Sequence, residues 1–140
     1  MSDEVDERTT VFVRESMPLA ATLAVELLSG SPDDVRGRIA WREELCTAAG
    51  AMHGGVLMSL ADICGGTVAF LNLPEGASGT TTIESKTNFF RAVTGGTVTA
   101  SSHALHIGRS TIVVETELRD DDDRLCAKTT QTQAVLYPRS

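Results

Sequence analysis

The chain has 140 residues, 41% hydrophobic and 22% charged, the make-up of one ordinary globular domain able to bury its own core. Twelve Lys and Arg against nineteen Asp and Glu leave a net charge of −7. Such a balance argues against phosphate-backbone binding, so no nucleic-acid partner is expected. No run is read as approaching the ~18 apolar residues of a membrane span, and no basic-then-apolar export signal opens the chain. Cys46, Cys64 and Cys126 are odd in number and lack a C-x-x-C spacing. The expectation is a cytoplasmic protein with no membrane association, no disulfide framework and no structural metal.

Residues 1–15 are read as a flexible acidic N-terminus, and 16–138 as a single domain. A short helix is predicted over 16–23, with Ser16 as a candidate N-cap and Pro18 in the first turn. Strands over 24–28 and 35–42 flank Ser29-Gly30-Ser31-Pro32-Asp33-Asp34, whose turn residues suggest a first antiparallel pair. The one long helix runs from 54 to about 71. It holds no Lys, Arg or Glu, so it must be buried on most faces. Four segments rich in Thr, Val and Ile follow, at 80–90, 97–106, 111–118 and 125–137. Short turns between them predict an antiparallel meander. The sum is an α+β layout, a curved antiparallel sheet around one buried helix.

Two anomalies mark the long helix. Gly54 and Gly55 open it, at roughly 0.5–1 kcal/mol each relative to alanine. The pair serves either as a tight strand-to-helix turn or as an oxyanion-binding helix N-terminus, where unpaired amides meet the positive end of the dipole. Asp62 sits mid-helix between Ala61 and Ile63, as a functional carboxylate or as part of a narrow polar stripe with Ser59 and Gly66. Eight residues of helix separate Gly54 from Asp62 by roughly 12 Å. One chain cannot bring both to one reacting atom, whereas two antiparallel copies can, so a catalytic role implies a dimer. His103 and His106 point to opposite strand faces and make a poor metal pair. Asp120–Asp123 lacks the glycine and glutamate of a calcium loop and reads as a solvated hairpin tip.

His53-Gly54-Gly55, Leu60-Ala61-Asp62 and the run Asn88-Phe89-Phe90-Arg91-Ala92-Val93-Thr94-Gly95-Gly96 together resemble the phenylacetate-pathway (PaaI-like) branch of hotdog-fold acyl-CoA thioesterases. The likeness spans about 18–137. It implies hydrolysis of an acyl-CoA to free acid and CoA, with CoA as part of the substrate and no cofactor. Asp62 matches the catalytic carboxylate, as base or nucleophile. The Gly54 N–H matches the thioester-polarising donor, His53 the motif histidine, and Thr82 a Ser or Thr that positions water or the carboxylate. Relatives often carry Asn where this chain has Thr47, which leaves the role of Thr47 open. Gly55, Arg91, Val93, Thr94, His106, Gly108, Arg109 and Ser110 match CoA-binding places, with Arg91 and Arg109 as phosphate donors. Val56, Leu57, Leu60 and Met58 are expected to wall an apolar or aromatic acyl pocket. A homodimer, and a homotetramer as in relatives, is implied. The alternatives are a non-hydrolytic acyl-CoA-binding module and a hotdog hydratase or dehydratase.

Overall fold

The computed structural model describes residues 3–139, with helices α1 (Glu7–Ser16), α2 (Pro18–Thr22) and α3 (Gly54–Leu71). Its strands are β1 (Glu26–Gly30), β2 (Val35–Ala40), β3 (Gly79–Phe89), β4 (Thr97–Ile107), β5 (Thr111–Arg119) and β6 (Leu125–Leu136). The strands form one antiparallel sheet in the order β1-β2-β4-β5-β6-β3, and α3 lies across its inner face. This is the hotdog arrangement. Inward side chains alternate along β2, β4 and β5, among them Val35, Ile39, Val98, Ala100, Ile112, Val114 and Leu118. They pack on Leu57, Leu60, Ala61, Cys64 and Val68 of α3.

Two glycines set how closely the layers approach. A Cβ on Gly37 of β2 would lie 2.8 Å from Cys64 Sγ, and a Cβ on Gly65 of α3 would overlap Gln131 Oε1. The helix therefore presses into the sheet at one point and receives a sheet side chain at the next.

Several expectations change. The predicted meander holds only for β4-β5-β6, because β3 pairs with β6 and β4 with β2. Thr94-Gly95-Gly96 belongs to no tight hairpin. It ends a connection held to β6 by Phe90 N–H and Arg91 N–H on Cys126 O, and to the end of β2 by Trp41 N–H on Gly96 O. Turn residues announce a bend, not a partner.

The acidic N-terminus is not frayed over 7–15; residues 1 and 2 of that expectation lie outside the described residues. Asp6 caps α1, its Oδ1 accepting from Thr9 N–H at 3.0 Å and its Oδ2 from Thr9 Oγ1 at 2.7 Å. Side chains of α1 then bond the backbone of edge strand β1 at Leu27 and of Val25 just before it. Leu27 N–H donates to Thr10 Oγ1 and Arg14 Nε donates to Val25 O. Ser16 ends α1 instead of capping α2, its hydroxyl donating back to Phe12 O.

The sheet covers only one side of α3. Half of the helix is buried, while Gly55, Met58, Asp62 and Phe70 are exposed. By length and composition alone α3 is apolar enough to cross a membrane, contrary to the reading that no run approaches a span. Its packing against five strands makes it the core helix here.

Candidate active site

Two centres lie along α3. At its N-terminus, His53 takes an extended conformation and its Nδ1 accepts from Gly55 N–H at 2.8 Å. An accepting Nδ1 places the neutral ring's proton on Nε2. His53 N–H is spent on Leu45 O. The Gly54 N–H finds no acceptor among the described residues, as expected for a first-turn amide whose neighbour has taken the cap. The Phe89 ring covers Gly54, so a Cβ there would stand 3.1 Å from Cζ.

Two turns further on, Asp62 Oδ1 accepts from Thr82 Oγ1 and from Gln131 Nε2, both at 2.9 Å. Thr82 Oγ1 in turn accepts from Gln133 Nε2 at 2.7 Å. Asp62 Oδ2 has no partner among the described residues. A β-bulge between Thr82 and Glu84 aims Thr82 at the helix, the use to which bulges beside sites are commonly put. After the bulge the phase changes, so that Thr87 bonds Thr129 and Phe89 reaches Gly54. Asp62 opens onto a cleft of about 520 Å³ that continues past Gly66 and Phe70 to Phe12 and Met17.

The structure thus joins Asp62 to Thr82, and His53 and Gly55 to Gly54, but an unbroken α3 keeps the pairs roughly 12 Å apart. The expected CoA-binding residues also fall into two groups. Arg91, Val93 and Thr94 lie at the end of the sheet near the start of α3, where Val93 O accepts from Met52 N–H. Val93 is 2% exposed and belongs to the core, and its carbonyl is already taken by Met52 N–H. Thr94 also shares a small cleft with Asp120, Asp121 and Asp122, an acidic neighbour for any phosphate. His106, Gly108, Arg109 and Ser110 form the opposite end, with Gly108 N–H closing the β4–β5 turn on Thr111 O. Eleven residues of β4 put roughly 35 Å between the groups. Thr47 is exposed, and its N–H donates to Ala51 O.

Of the expected acyl-pocket wall, Val56 is half-buried and Met58 exposed, while Leu57 and Leu60 are withdrawn into the core. Leu57 and Leu60 are 3% and 0% exposed and face the sheet. The apolar part of the cleft comes from Phe12, Met17 and Phe70 instead, because the side of α3 that carries Leu57 and Leu60 is the side the sheet covers. Gln131 and Gln133 were missed by sequence reasoning. The sequence holds half of the signal: Ala127, Thr129, Gln131, Gln133 and Val135 share one phase of β6, and the structure turns that phase inward.

Among the described residues no group of three or more His, Cys, Asp or Glu side chains is placed to hold a metal. The three cysteines are free. Burial, with the Asp34 charge added, pushes the Cys64 thiol up to about 12, so it is no nucleophile near neutrality.

A family model described as Thioesterase superfamily matches residues 49–127, which takes in α3 and most of the sheet. The chain belongs to the thioesterase superfamily. Two curated proteins named "Putative esterase" are similar to this superfamily member. One, from Saccharolobus solfataricus, is 38% identical over 90 residues, spanning 64% of this chain and 63% of its own length. The other, from Mycobacterium tuberculosis, is 26% identical over 81% of this chain and 82% of its own. A solved structure of the mycobacterial protein matches with TM-score 0.84 and 25% identity, covering 89% of this chain and 100% of that one. The structure of a Haemophilus influenzae protein described as a thioesterase shares the fold at TM-score 0.84 and 22% identity, over 98% and 93% of the two chains.

Proposed function

We propose that this chain is an acyl-CoA thioesterase of the PaaI-like branch, working as a homodimer whose two sites each join Asp62 of one protomer to Gly54 of the other. The observation that carries the reading is the state of Asp62. Its carboxylate is held through one oxygen, the other has no partner among the described residues, and the residue lines an apolar-ended cleft beside α3. The Gly54 amide, free at a helix N-terminus, has the properties of an oxyanion donor.

In this reading the thioester oxygen accepts from Gly54 N–H, which draws charge from the carbonyl carbon. Asp62 either takes the proton of an attacking water or attacks the carbon itself to give an acyl-enzyme that water then hydrolyses. On both routes the C–S bond breaks, the acid keeps the acyl carbon, and the CoA sulfur leaves with the bonding pair and gains a proton. An antiparallel two-fold pairing is also part of this reading. It carries the Arg91 end of one chain toward the Arg109 end of its partner, so two distant cations meet at one ligand. A homotetramer built from two such dimers follows by the same likeness.

The test is CoA release from a panel of aliphatic and aromatic acyl-CoAs, read with a thiol reagent. Turnover is expected, falling about 10²–10⁴-fold in Asp62→Ala if the carboxylate acts as a general base, and at least as far if it is the nucleophile. Tight acyl-CoA binding with no thiol release, or release indifferent to Asp62→Ala, would refute the assignment.

A further inference from the structure

Resting on the reading of Asp62 as the reacting carboxylate, we infer that Gln131 and Gln133 are positioning residues. Through them β6 clamps Asp62 by one oxygen and reserves the other for chemistry. Both glutamines are buried, at 0% and 1% exposure, on a strand face that otherwise packs into the core. A buried amide is costly unless its groups are bonded, and Gln131 does not recover that cost fully: its Oε1 is buried without a partner. An apolar side chain of the same length would spare the fold this orphan, so the gain lies at the other end of the amide, where Nε2 meets Asp62 Oδ1.

The neighbouring elements are shaped around that bond. Gly65 lies one helical turn from Asp62, and any Cβ there would overlap Gln131 Oε1. The bulge in β3 brings Thr82 to the same carboxylate oxygen. Gln133 fixes the sense of the Thr82 hydroxyl. Its Nε2 donates into Oγ1, so the single hydroxyl proton is directed to Asp62 Oδ1. Two convergent donors on one oxygen resist rotation of the carboxylate and hold Oδ2 outward. A side chain so held reacts without first being ordered.

The experiment uses the full chain and the acyl-CoA that wild type turns over fastest. Gln131→Met keeps length and removes the donor. Its kcat is expected to fall about 10- to 100-fold while KM stays within about threefold, since the loss is one of alignment and not of substrate binding. Gln133→Met, one bond more distant, should lose less. Thr82→Val should fall with them, and Thr82→Ser, which keeps the hydroxyl, should return toward wild type. Denaturant unfolding of Asp62→Ala, Gln131→Met and the double variant supplies a second readout, and non-additive changes in stability are expected because the two share one bond. Should Gln131→Met fail to fold, the Gln133 and Thr82 variants decide the matter alone. Unchanged kcat in these variants, or a fall in kcat matched by an equal rise in KM, overturns the inference. So do additive changes in stability. A wild type with no Asp62-dependent CoA release instead overturns the thioesterase reading, while the unfolding cycle still judges the clamp.

Discussion

Gly54 shows how one residue type can hold two roles. Its missing side chain leaves room for the Phe89 ring, and its N–H is left unpaired because His53 spends its cap on Gly55. Gly54→Pro separates the amide from the glycine. Proline is well suited to the first position of a helix, and His53 at φ −60°, ψ 135° already has the conformation that precedes a proline. The variant is expected to fold, with the exposed Phe89 ring shifting to admit the new Cβ, and to lose about 10²- to 10³-fold in kcat on an acyl-CoA. A variant with wild-type kcat would remove Gly54 N–H from the mechanism. At this scale the motif residues were legible because each breaks a local rule: glycines at the start of a helix, a carboxylate in its middle. Gln131 and Gln133 break a rule visible only once the inward phase of β6 is known.

Among the elements, α1 shows where local composition misleads. Residues 3–10 are polar and acidic, yet Asp6 and Thr9 form a cap and Thr10 and Val13 are buried against β1. The Asp6 carboxyl lies below the ordinary carboxylate range, chiefly because the Thr9 N–H bonds its charged form. A depressed folded-state pKa means that this stabilisation is present above the unfolded value and lost as pH falls through the folded one. Asp6→Ala is therefore expected to cost about 1 kcal/mol near neutral pH, with the gap to wild type closing as pH drops below about 4. Thermal melts of both proteins across pH 2.5–7 check this, and a gap that stays constant in acid would contradict it. Helix α3, by contrast, was readable from its first residue to about its last. Proline and glycine after Leu71 stop it, and a long run without Lys, Arg or Glu leaves no other state for it.

In the whole molecule, the two sheet edges are treated differently. The N-terminal segment bonds β1 at Leu27, while β3 offers eleven residues of edge beside the bare side of α3. An open edge beside a helix face that exposes Met58 and Phe70 suits a partner, and the proposed dimer supplies a second copy. Mixing Asp62→Ala chains with Gly54→Pro chains under subunit exchange tests whether the site is shared. Half of the resulting dimers are mixed and each holds one intact site, so roughly a quarter of wild-type activity should return. No recovery from fully exchanged chains would confine the site to one protomer.

What the amino-acid order determined by itself is local. The spans of α3 and the strands follow from hydrophobic pattern, the chemistry-bearing residues of α3 from their conflict with that pattern, and the family likeness from short motifs at 53–62 and 88–96. The tertiary structure decided which strands pair, which side of α3 the sheet covers, and which buried amides reach Asp62. Those are choices among distant segments, made by closure of the sheet and packing of the layers, and no window of neighbouring residues contains the competing contacts.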